Sequence, residues 1–457
     1  MKIREGQQIK RSLKTAVLTA GLILSGGFAT PARAVPSFSR QTGLSCNTCH
    51  TNPPELTSFG RQFKLNGYIF STTEKVSAKS NGKESGLNLA KVLPLSAMIQ
   101  LSLTATNSAQ PATQNGNFEF PQQASLFLAG AWTSHIGSFA QVTYEGQADH
   151  FSWDNTDIRV VNQSKLKDKP LIYGLTFNNN PTVEDLWNST PAWGFPFNSS
   201  GTAPGPAAAT LIDGTLAQDV AGAGGYAMWN NHLYFAGTLY RSEHIGGTQP
   251  NSGAGFGINI RGIAPYWRVA WQQNLGKNDY LEVGSFGMHA KSTPNSVVGP
   301  MDGFTDAAAD FQYEHTIPQW RNDVLTVRGT YIHENNFLEA LSEAGGAAFP
   351  RHQLNTARIN ATYHFGYRYS GTFGWFNTTG TADPLLFAAA PVSGSLSGDP
   401  HSSGYIANAS WWPSQNVGVQ LQYSGYTRFN GGRTNYDGSG RDAVGNNALY
   451  ALLWFVF

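Results

Sequence analysis

From residue 93 onward, apolar and polar residues alternate along the chain with a period of two. In the stretch 95–104, leucine, alanine and isoleucine at odd positions alternate with serine, methionine, glutamine and threonine at even positions. The same alternation recurs at 357–365 and at 417–424. It predicts strands that have one apolar and one polar face. Arg358 falls on a polar face, where a water-filled lumen would solvate it and lipid would penalise it.

Short and long connections between these predicted strands also alternate. Bacterial barrels place short turns in the periplasm and long loops outside, and their strand number is even. Counting between the connections gives about sixteen strands, so both ends of the region fall on the periplasmic side. We predict short turns near 134–138, 164–170, 229–232, 275–279, 317–322, 366–369 and 413–416, and long loops near 107–122, 150–155, 179–222, 241–257, 291–306, 335–352, 380–401 and 429–446.

The last predicted strand carries leucine, alanine and phenylalanine on one face from Leu449 to Phe457. A terminal aromatic residue that closes an alternating strand is typical of an outer-membrane insertion signal. We therefore predict an all-β fold, an outer-membrane antiparallel β-barrel of about 16 strands. Alternation alone leaves a soluble β-sandwich or propeller open as the alternative.

The chain before the barrel divides into three parts. Residues 1–34 have the basic start, short apolar core and Ala32-Arg33-Ala34 site of a signal peptide, which predicts export. Residues 35–70 form a small helical unit that carries the candidate chemistry. Residues 71–92 are rich in serine, lysine and glycine and have linker composition. The barrel then occupies 93–457.

Composition agrees with a barrel in the outer membrane of a Gram-negative cell, with lipid as a partner. Charged residues make up only 13% of the chain, aromatic residues 12%, and there are 50 glycines. The net charge of +1 gives no sign of a nucleic-acid partner. The mean hydropathy of −0.29 is too low for a helical membrane protein and suits strands whose two faces average out.

The sequence CNTCH at 46–50 has the CxxCH pattern that attaches one c-type haem covalently. Cys46 and Cys49 would form the thioether bonds, and His50 would be an axial ligand of the haem iron. These are the only two cysteines, so a disulfide framework has no other thiol. A zinc site usually needs four protein ligands, and no further Cys or His follows within 80 residues. A thioredoxin-type pair would need a βαβ context.

A helix is predicted after Pro53-Pro54, ending at Gly67, with Leu56, Phe59 and Phe63 on one apolar stripe. In a haem module that stripe would form the haem pocket. The unit is too small to bury a haem alone, so it must borrow walls from the barrel and is expected to plug the lumen.

Met98 is our candidate for the sixth iron ligand. It is the first Met or His after His50 and lies on the polar face of the first barrel strand. An axial Met raises the haem potential, which suits an electron acceptor. A packing contact with the helical unit is the alternative interpretation of Met98. His135 and His364, predicted near the periplasmic rim, are rival ligands.

The chain resembles a known family, the fused monohaem c-type cytochrome–porins of the outer membrane of iron-oxidising bacteria. The resemblance runs over the full order of signal peptide, haem motif, linker and barrel. It is most specific around the haem motif and weaker in one long loop. The matching residues are Pro36, Phe38, Arg40-Gln41-Thr42-Gly43, 46–50, Phe59-Gly60-Arg61, Phe63-Lys64, Gly67-Tyr68, Asn178-Asn179-Asn180-Pro181-Thr182, Trp187 and Pro191-Ala192-Trp193-Gly194.

The resemblance implies an Fe(II) oxidoreductase that oxidises extracellular Fe(II) and passes electrons to a periplasmic cytochrome c or cupredoxin. Two other functions stay open: an electron conduit that runs outward, and a porin whose haem unit only plugs or gates the channel. Carboxylates could hold ferrous iron, although most exposed acids only solvate the surface. The acids considered are Glu145, Glu184, Asp185, Asp213, Asp302, Asp306, Glu339 and Glu343.

Overall fold

The computed structural model describes residues 35–70, 75–80, 83–242, 259–293, 299–320 and 323–457. The predicted signal peptide, 1–34, lies outside these residues. Helices α1 (Pro36–Thr42), α2 (Cys46–Cys49) and α3 (Ser58–Leu65) come first, and α4 (Glu339–Glu343) lies between two later strands. Within the predicted linker, β1 (Lys75–Ser80) and β2 (Lys83–Ala90) pair as an antiparallel hairpin outside the main sheet.

Sixteen strands of the described residues form one closed antiparallel barrel, as the alternation predicts. Each strand pairs with its neighbours in sequence, and β18 pairs with β3 to close the ring. The barrel strands are β3 (Leu95–Thr106), β4 (Asn117–Ala131), β5 (Ile136–Glu145), β6 (His150–Leu166), β7 (Lys169–Asn178), β8 (Val220–Trp229), β9 (Leu233–Ser242), β10 (Ala264–Leu275), β11 (Asp279–Ser292), β12 (Asp302–Ile317), β13 (Asp323–Leu338), β14 (Arg351–Phe365), β15 (Tyr369–Gly380), β16 (Ser402–Ser414), β17 (Val417–Arg428) and β18 (Ala448–Val456).

The apolar faces of the strands turn outward and the polar faces turn into the lumen. On β3 every even residue from 96 to 106 is buried, and Leu95 and Ile99 are exposed. Leu239 on β9 and Phe373 on β15 are likewise exposed. A closed ring leaves no unpaired strand edge, and its apolar outer wall suits lipid. The fold is therefore that of an outer-membrane β-barrel.

No helix among the described residues is long and apolar enough to cross a membrane.

Short turns lie at one rim of the barrel and longer loops at the other, close to the predicted positions. The chain enters β3 and ends at Phe457 on the short-turn rim, where Ala97 N–H donates to the Phe457 carbonyl at 2.9 Å. One predicted loop is wrong. Residues 150–155 belong to β6, and the connection is 146–149, because Asp154 and Asn155 form a bulge opposite Gln141 of β5 despite their turn-like composition.

We predict that the long-loop rim faces outward. A cysteine introduced at the exposed residue Ser397 should react with a membrane-impermeant thiol reagent in intact cells. One introduced at the exposed residue Lys277, in a short turn, should react only after the outer membrane is permeabilised. The unsubstituted protein is the control for Cys46 and Cys49. The opposite labelling pattern would invert the barrel.

Candidate functional site

Residues 35–70, called the helical segment below, fold locally around three short helices. Thr57 caps α3, because its hydroxyl accepts from Gly60 N–H at 3.1 Å. Gly67 follows the helix with a φ of +67°, as the predicted end requires. The predicted start is wrong by a few residues. Pro53 and Pro54 lie in the turn before the helix, since the capping side chain sets where the helix begins.

Gly60 lets α3 approach the CNTCH turn closely. A Cβ atom at Gly60 would lie 2.2 Å from the Cys49 carbonyl oxygen. The same carbonyl accepts from Thr57 N–H at 2.9 Å. Any larger residue at position 60 would separate α2 from α3. The two cysteines and His50 are therefore held against the apolar side of α3.

The histidine of this turn is oriented by the backbone. His50 Nδ1 lies 3.1 Å from the Glu55 carbonyl, so Nε2 is the ring nitrogen left for a ligand. On the barrel side, Cys46 N–H donates to Gln415 Oε1 at 2.9 Å, in the short turn between β16 and β17. The CNTCH turn thus lies near the short-turn rim.

A buried carboxylate fixes the same turn to the wall. Glu55 Oε1 accepts from Arg328 on β13 at 2.7 Å, and Glu55 Oε2 lies 3.0 Å from His364 Nε2 on β14. All three side chains are almost fully buried. Burial opposes ionisation of Glu55, but Arg328 and His364 outweigh it and lower the pKa of Glu55 to about 2.

The other end of the segment is fixed to the opposite wall. Arg159 on β6 donates to the Lys64 carbonyl at 3.1 Å, and its side chain is fully buried. In the ring of sixteen, β6 lies eight strands away from β14, which carries His364. The helical segment therefore reaches across the lumen.

Residues 179–219, called the lumen loop below, enter the barrel and cover the helical segment. Lys64 Nζ donates to the carbonyls of Val183 and Asp185 at 2.6 Å each, and burial lowers the pKa of Lys64 to about 7. Trp187 Nε1 donates to Tyr280 Oη at 2.6 Å. Burial raises the pKa of Glu184, which is fully buried, to about 7. The loop is thus part of the site and not a surface feature.

A cavity of about 360 Å³, called the central cavity, lies between the helical segment, the lumen loop and the barrel wall. Cys46, Cys49, His50 and Met98 all line it. The predicted apolar stripe of the helical segment lines it as well. The other apolar side chains around it include Phe38, Leu56, Phe59, Phe63, Phe127, Phe139, Trp193, Trp412 and Trp454.

The structure separates the three candidates for a second iron ligand. Met98 is 5% exposed, packs with Phe127 and Val456, and lines the central cavity. His364 is engaged with Glu55, and His135 Nδ1 lies 3.1 Å from the Val161 carbonyl near a short turn. Neither histidine lines the cavity.

A second cavity, called the rim cavity, opens at the short-turn rim and has a volume of about 880 Å³. Cys46 and His50 line it from the side of the helical segment, and Tyr367, Arg368 and Gln415 line it from the short turns. The CNTCH turn therefore separates the central cavity from the solvent at this rim.

The acids considered from sequence as iron ligands are not brought together. Among the described residues, no group of three or more His, Cys, Asp or Glu side chains is placed to hold a metal ion. Asp302 and Asp306 belong to β12 and are buried, although the sequence placed them in an outer loop. Asp213 is paired with Arg358. Glu145, Glu339 and Glu343 are separate exposed acids.

Sequence reasoning missed three polar residues of the site: Glu55, Lys64 and Asp154. Glu55 and Lys64 lie within the helical segment, but no sequence pattern predicts a role for Glu55, and Lys64 enters only among the matching residues of the resemblance. Their roles come from Arg328, Val183 and the barrel wall, which are far away in sequence. The available signal was that Glu55 and Lys64 follow the CNTCH motif closely in sequence.

No family model matches this chain, and no curated protein matches it. Solved structures similar to it are outer-membrane barrels. An anion-selective porin from Comamonas acidovorans is 10% identical, with 79% of this chain and 98% of that chain covered and a TM-score of 0.47. OprB of Pseudomonas putida is 11% identical, with 79% and 93% covered and a TM-score of 0.48. The outer membrane channel DcaP of Acinetobacter baumannii is 8% identical, with 79% and 96% covered and a TM-score of 0.46.

We predict that Glu55 holds the helical segment in the lumen. Glu55→Gln leaves Arg328 buried without its anion, and breaking a buried pair from one side costs about 3–5 kcal/mol. The helical segment should become sensitive to protease in detergent-solubilised protein. Glu339→Gln, at an exposed loop acid, is the matched control. Equal protection in both variants would contradict this role.

The ion pair of Glu55 and Arg328 also predicts that protection of the helical segment from protease is lost in acid. The pKa of Glu55 falls from its ordinary 4.5 to about 2 on folding, so its stabilisation is present above pH 4.5 and is lost as the pH falls toward 2. Protection of the helical segment should decline over this range in the wild type. The Glu55→Gln variant should lack this component of the decline.

Proposed function

We propose that this protein is an outer-membrane c-type cytochrome that oxidises extracellular Fe(II) and delivers the electrons to a periplasmic carrier. The observation that carries the proposal is the central cavity, which the two thiols and the histidine of one CxxCH motif line together inside a barrel. The sequence resemblance to the fused cytochrome–porins supplies the substrate.

The residues of the cavity fit a covalently held haem c. Cys46 and Cys49 border an apolar space within the usual range of ligand sites. His50 has Nε2 available as an axial ligand because Nδ1 faces the Glu55 carbonyl. Met98 is proposed as the sixth ligand, since it lines the same cavity. A haem held there would supply a one-electron acceptor whose potential an axial Met raises.

The arrangement of the surrounding chain is compatible with the inward transfer that the resemblance implies. The long loops face outward, so Fe(II) would approach the cavity from that rim. The rim cavity places the CNTCH turn beside solvent at the periplasmic end, where a small cytochrome c or cupredoxin could dock. Glu55, Arg159 and Lys64 keep the helical segment in the lumen, so electrons and not solutes would cross.

The barrel by itself favours a second candidate function. Sixteen strands in the described chain form a closed ring of the porin type, and a porin could use the helical segment only to plug or gate its channel. An outward-running conduit is the remaining alternative. Reduction of the haem by Fe(II) would distinguish an Fe(II)-oxidising cytochrome from a plugged porin. The haem potential would distinguish it from an outward-running electron conduit.

We predict that Fe(II) reduces the purified ferric protein in detergent. The pair of substitutions Cys46→Ala and Cys49→Ala should abolish haem staining after denaturing electrophoresis, because both thioether bonds are removed. His50→Ala should keep some attached haem but lose reduction by Fe(II). Iron that binds the wild type without reducing it would leave the plugged porin as the better account. Haem staining in the double variant would refute the attachment.

We predict that Met98 tunes the haem. Met98→Ala should change the visible spectrum and lower the reduction potential, because the axial thioether is lost. Met228→Ala is the matched control, since Met228 is also buried on the lumen side but does not line the central cavity. An unchanged spectrum and potential in Met98→Ala would exclude ligation by this residue.

A further inference from the structure

One carboxylate faces the central cavity. Among the described residues that line it, Asp154 is the one Asp or Glu, and Lys64 is the one Lys or Arg. Asp154 lies in β6, four residues after the strand begins at the long-loop rim, whereas the CNTCH turn lies at the short-turn rim. The cavity is therefore acidic on the side from which an external cation would come.

A β-bulge gives Asp154 this position. Ala140 on β5 pairs with Thr156, but Val142 pairs with Trp153, so two residues of β6 stand opposite Gln141. Neighbouring residues of a regular strand point to opposite faces, and a bulge breaks that alternation. Asp154 and Asn155 consequently both line the cavity. Trp153 is exposed on the outer wall.

The contacts of Asp154 come from neutral groups. Asp154 Oδ2 accepts from Thr143 Oγ1 at 2.8 Å, and Oδ1 accepts from Asn155 N–H at 2.7 Å and from Gln218 Nε2 at 3.2 Å. These donors fix the carboxylate in place without neutralising its charge. Asp154 is half-buried, so water and ions can reach it through the cavity.

Several other acids on the lumen side are neutralised by arginine. The pairs recorded in the described part of the chain are Asp157 with Arg159, Asp310 with Arg268, Glu314 with Arg61, Glu55 with Arg328, and Asp213 with Arg358. No Lys or Arg of the described residues forms such a pair with Asp154. Among the described residues, Asp154 is thus the one Asp or Glu that lines the central cavity, and its unpaired charge can attract a cation there.

We propose that Asp154 binds Fe(II) as the substrate beside the haem site, with the side-chain carbonyl of Gln141 as a further oxygen ligand. This inference rests on the proposed function. Carboxylate and amide oxygens suit a hard divalent ion, and a single carboxylate binds it weakly enough for release. Fe(II) gives up one electron and leaves as Fe(III), and the ferric haem becomes ferrous. Asp154 takes no part in the redox change and positions the ion.

The test compares Asp154→Asn, which keeps the size but replaces one accepting oxygen by an NH2 group and removes the charge, with Asp154→Glu, which keeps the charge. Asp149→Asn is the matched control, since Asp149 is an exposed acid of the neighbouring 146–149 connection. The rate of haem reduction is measured against Fe(II) concentration. Asp154→Asn should raise the Fe(II) concentration that gives half of the maximal rate about tenfold or more. In Asp154→Glu this concentration should lie between those of the wild type and Asp154→Asn. Asp149→Asn should leave it unchanged.

Two further readouts separate this role from damage to the fold or the haem. The haem potential and the rate of reduction by dithionite should be the same in all variants. Mn(II), which does not reduce the haem, should bind the wild type and should bind Asp154→Asn about tenfold more weakly. Binding is obtained from the concentration of free Mn(II), which is measured by electron paramagnetic resonance.

Equal Mn(II) affinity and equal half-saturation in the wild type and Asp154→Asn would overturn the assignment of Asp154, even if Fe(II) reduces both. A wild type that Fe(II) does not reduce would instead overturn the proposed function. In that case, loss of Mn(II) binding in Asp154→Asn would still establish the cation site.

Discussion

The ion pair between Glu55 and Arg328 is the contact on which the site depends. It joins the turn after the CNTCH motif to β13, and its oxygens are buried where water gives no compensation. An uncompensated charge at that depth would be strongly unfavourable, so the pair forms only when the helical segment is inside the barrel. The backbone of the same residue orients His50. One residue therefore couples the position of the segment to the geometry of the proposed iron ligand.

The lumen loop completes this arrangement from the opposite side. Its carbonyls hold Lys64, and its side chains contact the wall through Trp187. The segment and the loop bury each other, since neither has enough apolar surface to fold alone. A bare barrel of this size would leave an aqueous channel. In this chain, the space contains a cavity whose lining carries two thiols, one imidazole and one thioether.

Asp154 differs from several other acids of the lumen in that no arginine of the described residues pairs with it. Arginines on the wall neutralise several of the acids that hold the segment and the loop in place, as Arg268 does for Asp310. Asp306 and Glu334 instead accept from backbone N–H groups of the loop. Asp154 differs because its partners are a hydroxyl, an amide group and a backbone N–H. An acid that binds a soluble cation must keep its charge free of a cation partner within the protein. The bulge in β6 is what turns this acid toward the cavity.

Much of the architecture was predictable because it is local. A period of two follows from the pleat of a strand, so β3 and β18 show their outward faces in sequence. The CxxCH motif is likewise local, since its two thiols and histidine lie within five residues. The bulge was not predictable. Asp154 and Asn155 have loop-like composition, and only the pairing of their neighbours Trp153 and Thr156 with β5 keeps them in a strand.

The sequence by itself determined the barrel, its sixteen strands and the residues of the proposed haem attachment, because each depends on near neighbours in the chain. Only the tertiary structure decided which side chains meet in the lumen. Closing the ring brings Glu55 to Arg328, 273 residues later, and sets Met98 beside the cavity that His364 and His135 do not reach. Strand register and tilt determine which side chains come into contact in the lumen. Both are fixed by the whole ring of hydrogen bonds and not by any single strand.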